Sequence, residues 1–220
     1  MRHCQPGNAA LVWPPSLIAA MKIPTLNRPF RGFTLVELLV VIAIIAVLAA
    51  MGFAGAQAAL NRAKKMKARK ICVTMDQAVL GFYDDYGHMP GLGDANADRE
   101  LVTDIDAGIQ LVTILLGYEK DSDEMENPKK VRFFEAPEGK SKRDGIQYGA
   151  GSGNTVEGLF DPWGEPYRVL LDGDYNEQLK NPFTGTGNSA ILRGKRVVTY
   201  TYGKNATNDN GSGDDVASWK

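Results

Sequence analysis

The sequence predicts an α+β fold: a long N-terminal helix, half of it transmembrane, packed on a small antiparallel β-sheet with a second helix. Three observations predict it. From Phe33 to Leu60 the only charged residue is Glu37. Beyond that run, Ile71, Met75, Ala78, Val79, Phe82 and Tyr86 recur in steps of three and four, the spacing of one helical face. The C-terminal half holds short runs rich in β-branched and aromatic residues, PYRVLLD and VVTYTYG, between clusters of Gly, Asn, Asp and Pro.

The apolar run comes first. As a helix its 28 residues reach about 42 Å at about 1.5 Å per residue, against about 30 Å for a hydrocarbon core. It can cross a bilayer and extend beyond it. A secretory h-region is only about 7–15 residues long, so a cleaved secretory signal fits poorly. Residues 1–32 read as a leader with little order. Met21 offers an alternative start, giving MKIPTLNRPFRG with Lys22, Arg28 and Arg31.

The helix continues past the span. Gly81 costs about 1 kcal/mol relative to Ala, so the apolar stripe must be held by packing. Gly87 and Pro90 supply the stop. A helix from about 34 to 86 needs a partner along its length, first a bilayer and then a folded domain. A second amphipathic helix is expected in DRELVTDIDAGIQLVTILLG, with Leu101, Ile105, Ile109, Val112 and Leu116 on one side. Residues 119–145 are dense in both charges and read as a solvated loop, with a short strand expected at VRFFE. The domains expected are a leader over 1–32, a membrane and core helix over 33–60, and a globular part over 61–220.

Composition excludes several functions. A formal net charge of -1 argues against a nucleic-acid protein driven by a basic surface. Of the two cysteines, Cys4 precedes the span, which leaves Cys72 as a small packing residue. GKS at 139–141 lacks the phosphate-loop glycine, GAGSGN is not a dinucleotide fingerprint, and Ser152 lacks the flanking glycines of a nucleophile elbow. His88 sits alone in a turn, and Asp84 and Asp85 point apart on a helix. No enzyme constellation is present in the sequence.

Glu37 needs an explanation, because a carboxylate in a membrane helix costs a few kcal/mol. If the chain is cut between Gly32 and Phe33, the new α-amino group lies four residues from Glu37. It could pair with the Glu37 carboxylate of a neighbouring copy, an attraction worth far more in apolar surroundings than in water. RGFTLVELLVVIAIIAVLAAM, residues 31–51, closely resembles the class III signal of type IV pilins and type II secretion pseudopilins. In that family prepilin peptidase cuts after the glycine and N-methylates the new phenylalanine. Gly32, Phe33 and Glu37 match those positions. FYDDYGHMP resembles the segment that closes the long helix in pseudopilins. DPWGEPYRV is similar to the strand entry of the major pseudopilin of type II secretion systems, and the C-terminal YTYGKNATNDNGSGDDVASWK resembles that protein's end. The resemblance therefore implies a pilin-like fold.

Two further features bear on it. Arg62, Lys64, Lys65, Lys67, Arg69 and Lys70 follow the span, whereas the positive-inside rule would keep such a stretch cytoplasmic; the family orientation is the reverse. The stretch reads as a solvated helix face or as a contact for acidic faces of adjacent subunits. The C-terminal loop holds Asn205, Asp209, Asp214 and Asp215, hard oxygen ligands that suit calcium. The resemblance implies a calcium site there, with Asp215 in the family's position before the terminal Trp219 and Asn205 where the family has an aspartate. The other reading is a polar turn cluster. DGDYNEQ, residues 172–178, opens like a calcium loop but has Glu177 in the glycine position, so a hairpin turn is expected.

The resemblance implies a pseudopilin. It would be a single-pass bacterial inner-membrane protein with a periplasmic domain. Its partners would be copies of itself in a homo-oligomeric filament, prepilin peptidase, minor pseudopilins and an inner-membrane assembly platform. The alternatives are a subunit of a surface type IV pilus and a non-assembling single-span periplasmic binding protein.

Overall fold

The fold was analysed in a computed structural model, which describes residues 32–93, 96–150, 154–185 and 187–220. The leader up to Arg31, with the alternative start at Met21, lies outside the described residues. The chain divides into two compact units between Ala49 and Ala50.

Helix α1 covers Leu35–Tyr86. No proline interrupts the sequence between Phe33 and Met89. The helix starts at a capping box. Thr34 Oγ1 accepts the Glu37 backbone N–H (3.2 Å), while Glu37 Oε2 accepts the Thr34 backbone N–H (2.9 Å). This reciprocal pair satisfies two of the donors that every helix start leaves unpaired. The helix ends where Gly87 takes φ +78° and donates its N–H to Tyr83 O, a conformation that glycine adopts without strain.

In the first unit, the described residues from Phe33 to Ala49 are exposed. In the second unit α1 buries Ala68, Cys72, Met75, Ala78, Val79 and Phe82. Ile71 and Tyr86 pack at the edge of that core. The stripe read from the sequence is thus the packed face, and Cys72 is a buried free thiol within it. The i, i+4 neighbours Phe82 and Tyr86 stack at 4.6 Å.

The second helix is shorter than its sequence suggested. Residues DRELV do not belong to it. Arg99–Val102 form strand β1, and helix α2 covers Asp106–Leu116. Leu101 and Ile105 continue the four-residue spacing of the helix. However, pairing of β1 with β4 outweighs that weak local signal, and Ile105 becomes the exposed residue at the helix start. Gly108 allows α2 to sit against β1, since a Cβ there would lie 2.0 Å from Val102 O. The helix closes at Gly117, φ +70°, with Gly117 N–H on Ile114 O and Tyr118 N–H on Thr113 O, a Schellman motif.

The remaining strands are β2 (Gly145–Tyr148), β3 (Val156–Phe160), β4 (Arg168–Leu171), β5 (Gln178–Lys180), β6 (Ile191–Arg193), β7 (Val197–Thr201) and β8 (Val216–Ala217). Among the described residues they form a four-stranded antiparallel sheet, β1-β4-β7-β8, and two hairpins, β2-β3 and β5-β6. PYRVLLD and VVTYTYG supply the two central strands of the main sheet. The strand expected at VRFFE does not form. Phe133 and Phe134 instead give both N–H groups to the C-terminal end of α2 at Leu115 O.

Val197, Val169, Leu101 and Val216 face the core shared with α1 and α2. A second cluster holds Phe183, Tyr200 and Ala217, with Trp219 packed on it. Phe183 stands 5.4 Å from both the Tyr200 and the Trp219 ring. Trp219 therefore pins the C-terminus to the sheet.

The DPWGEP turn enters β4 as expected, and Asp161 organises it. Its Oδ1 accepts the N–H groups of Trp163, Gly164 and Glu165 at 2.8–3.0 Å, and its Oδ2 accepts Thr201 Oγ1 at 2.9 Å. Burial pushes its carboxyl pKa up, and these donors pull it back. Asp161→Ala leaves the donors without their shared acceptor. It is expected to cost about 2 kcal/mol, read as a lower midpoint in a thermal melt.

Candidate functional site

The N-terminal signal is displayed openly. Gly32, Phe33 and Thr34 precede the helix, and Phe33 is 73% exposed. A Cβ placed on Gly32 would meet nothing within 4 Å. The Gly32–Phe33 peptide bond therefore lies in non-helical, accessible chain, as a peptidase requires. Glu37 stands one turn into α1. Thr34 Oγ1 also donates to Glu37 Oε2 at 2.8 Å, so the cap engages one carboxylate oxygen twice and does not commit Oε1. Sequence reasoning assigned Glu37 to pairing with another chain. It missed the cap, although Thr-x-x-Glu ahead of an apolar run is a sequence-level sign of one.

The C-terminal loop runs from the 3₁₀ turn Gly203–Asn205 to β8. Its acidic residues do not converge. Asp214 Oδ2 accepts Asn205 N–H (2.8 Å), Asp209 Oδ2 accepts Asn205 Nδ2–H (2.7 Å), and Asp215 Oδ2 accepts Gly211 N–H (2.7 Å). Asn205 thus stands as a donor between two carboxylates. Two ammonium groups close the loop from outside, Lys65 Nζ on Gly213 O (2.9 Å) and Lys220 Nζ on Gly211 O (2.6 Å). Asp215 differs from the other acids. It is 4% exposed, and its Oδ1 is buried without a donor. Burial pushes its carboxyl pKa up, against the Gly211 hydrogen bond. A buried oxygen left without a donor is costly, and a hard cation would satisfy it.

Carboxylates do converge elsewhere. One ligand oxygen from each of Asp98, Asp172 and Asp174 lies within 4.8 Å of the others. The β1–β4 register pairs Arg99 with Leu171 and so brings Asp98 beside Asp172. Asp172 uses both oxygens on its own turn, accepting Asn176 N–H at 3.1 Å and Glu177 N–H at 2.8 Å. DGDYNEQ is therefore a braced turn, as a turn reading required. It is not a hairpin, because β4 and β5 belong to different sheets.

The basic stretch after the span is exposed apart from Ala68 and partly engaged within its own domain. Lys67 pairs with Asp144 at 2.8 Å, and Arg62, Lys65 and Arg69 line a groove against the C-terminal loop.

Comparison with curated proteins and with solved structures gave no match. Residues 27–53 match the family described as the prokaryotic N-terminal methylation motif. That stretch contains Gly32, Phe33, the capping box and the first three quarters of the apolar run. α1 is long and apolar enough to cross a membrane, and the α+β architecture is consistent with a pilin-like fold. The N-terminal segment is thus that of a type IV pilin-like, membrane-anchored substrate of prepilin peptidase.

Proposed function

We propose that the chain is a structural subunit of a type II secretion pseudopilus. Prepilin peptidase would cut between Gly32 and Phe33 and methylate the new amino group. The subunits would then leave the membrane as their apolar helices bundle. The observation that carries this reading is the exposed Gly32–Phe33 bond, with Glu37 capped one turn beyond it, inside the matched motif. Glu37 Oε1 remains available for the Phe33 amino group of a neighbouring subunit. The pseudopilus is favoured over a surface pilus because Cys72 is buried and would be the only cysteine left after cleavage. A C-terminal disulfide loop, common in surface pilins, could then not form. In this reading the globular part is periplasmic, and minor pseudopilins and an inner-membrane platform are its assembly partners.

The test is the mass of the N-terminal peptide from membrane-derived protein. A peptide starting at methylated Phe33 is expected. Protein that retains residues 21–32 would reduce the chain to a plain anchor. Loss of protein secretion, rather than of surface fibres, on deleting the chain would separate the pseudopilus from the pilus.

Calcium at the C-terminal loop is part of the proposal. Asp215 would hold the ion through Oδ1, and binding would draw in Asp209, Asp214 and Asn205, which serve the loop's own hydrogen bonds here, as further oxygen donors. The ion would neutralise the loop and fix it against β8. Calcium is expected to raise the melting midpoint of the wild-type chain, and Asp215→Asn is expected to remove most of that increment. An equal increment in both proteins would leave the loop as a turn held by its own hydrogen bonds.

A further inference from the structure

Two adjoining grooves in the second unit share Arg62 and Lys65. One, of 380 Å³, adds Arg69 and Lys220 over an apolar floor of Val216 and Ala217, with the exposed Met66 beside it. The other, of 210 Å³, adds Asn61, Lys204 and Trp163. Five cationic side chains therefore border one continuous depression. Its acidic members, Asp214 and Asp215, already accept backbone N–H groups. Lys65 and Lys220 each place one N–H on a loop carbonyl and keep two more donors. The Trp163 indole Nε1–H is buried and has no acceptor. The depression sets five cationic side chains against two carboxylates and so carries a surplus of positive charge.

Its place in the chain indicates which anion. Within the same unit, Met51, Phe53 and Leu60 are exposed apolar residues of the span, and the groove begins at Asn61. Along a helix Arg62 stands about 3 Å beyond Leu60 and Lys65 about 7.5 Å. The polar layer on each side of a bilayer is about 5–7 Å deep, so with the hydrocarbon core ending at Leu60, the last residue of the uncharged run, both residues fall within or at the edge of it. Arg69, about 13.5 Å beyond, can reach back on its flexible stem, as basic side chains at membrane surfaces do. Tryptophan with an apolar ring and a free N–H suits the same layer.

We propose that this groove holds the phosphate headgroup of an anionic phospholipid. Arg62, Lys65 and Lys204 surround the phosphate, and the exposed Met66 side chain meets the glycerol and upper acyl chain. Such a lipid offsets the basic stretch that follows the span, whichever leaflet it faces. The inference requires the membrane span but neither cleavage nor assembly.

The test uses the full chain in a neutral maltoside detergent, with lipid retention read by native mass spectrometry. Phosphatidylglycerol is expected to be retained in preference to phosphatidylcholine. Each basic group near a membrane surface contributes a factor of about five. The triple variant Arg62→Gln, Lys65→Gln, Lys204→Gln should therefore bind phosphatidylglycerol about a hundredfold more weakly. Trp163→Phe, which keeps the ring, should weaken it less, and both variants should keep the wild-type circular dichroism spectrum. Equal retention of the two lipids would overturn the proposal, as would a preference that survives the triple variant. Full competition by inorganic phosphate would make this a free-anion site. Dimers lost in the triple variant, without lipid preference, would put a second copy of the chain in the groove. A failure of any kind leaves the mass of the N-terminal peptide, and with it the filament reading, unaffected.

Discussion

Glu37→Gln is expected to leave membrane insertion and cleavage after Gly32 intact and to reduce filament yield more than tenfold. The substitution separates the cap seen in the structure from the assembly role proposed for the same side chain. As a cap, Glu37 accepts the Thr34 N–H, and glutamine at the same position can accept it too. As an assembly device, Glu37 must carry a negative charge for the Phe33 amino group of a neighbour, and glutamine cannot. Glu37→Ala removes both. If the cap matters, Ala lowers helix stability by about 1 kcal/mol and Gln does not. A tenfold effect on assembly corresponds to only about 1.4 kcal/mol per contact, less than an ion pair in apolar surroundings can supply. Electron microscopy of detergent-extracted filaments, with processing followed by the N-terminal mass, reads both effects. Normal filaments from Glu37→Gln would leave the residue as a cap alone.

The sequence made α1 legible along its whole length, because three local signals agree: an apolar run with a single charge, a stripe at helical spacing, and Gly87 with Pro90 at the end. β4 and β7 were legible for the same reason, being short runs of β-branched and aromatic residues between turn formers. β1 was not. RELV has no strand pattern of its own, and its leucine falls in phase with the helix that follows. Its conformation is decided by Arg168–Leu171, some seventy residues later in the chain. The short hairpin strands β2, β3, β5 and β6 are likewise defined by their partners rather than by their composition.

The functional residues divide along the same line. The processing signal lies within seven consecutive residues, Arg31 to Glu37, so it could be read in full. The acids of the C-terminal loop could be read as a set. That Asp215 alone is buried with an unpaired oxygen depends on β8 closing over it. The groove at Arg62 needs the C-terminal loop and the DPWG turn folded against α1. No pattern in one segment announces it.

Asp76→Asn is expected to stabilise the chain at pH 8 by about 3 kcal/mol and to leave it nearly unchanged at pH 4. Asp76 lies on α1 beside the buried stripe, one turn after Cys72 and three residues before Val79. Its Oδ1 is buried without a donor, and Thr199 Oγ1 on β7 is buried without a partner as well. Burial pushes the Asp76 carboxyl up to about 7 from an ordinary 3.8, while the nearby Ser218 and the Lys195 charge pull it back. Asp84, Glu177, Lys195 and Arg196 line the same depression, where Arg196 pairs with Glu177 at 2.8 Å. Below about pH 4 the acid is neutral in both folded and unfolded chains. Between about 4 and 7 the folded chain keeps a proton that the unfolded chain has released, so stability falls as pH rises through that window. Above 7 the carboxylate is ionised in both, and the full cost is present. A shift of about three pH units corresponds to about 4 kcal/mol, and residual solvent access reduces that to about 3. Asparagine carries no charge at any pH, and its amide can donate to the Thr199 hydroxyl. The melting midpoint should therefore rise by about 6–12 °C at pH 8, and the slope of stability between pH 4 and 7 should flatten. A gain that is the same at both pH values would mean that packing, not the charge of Asp76, sets the difference.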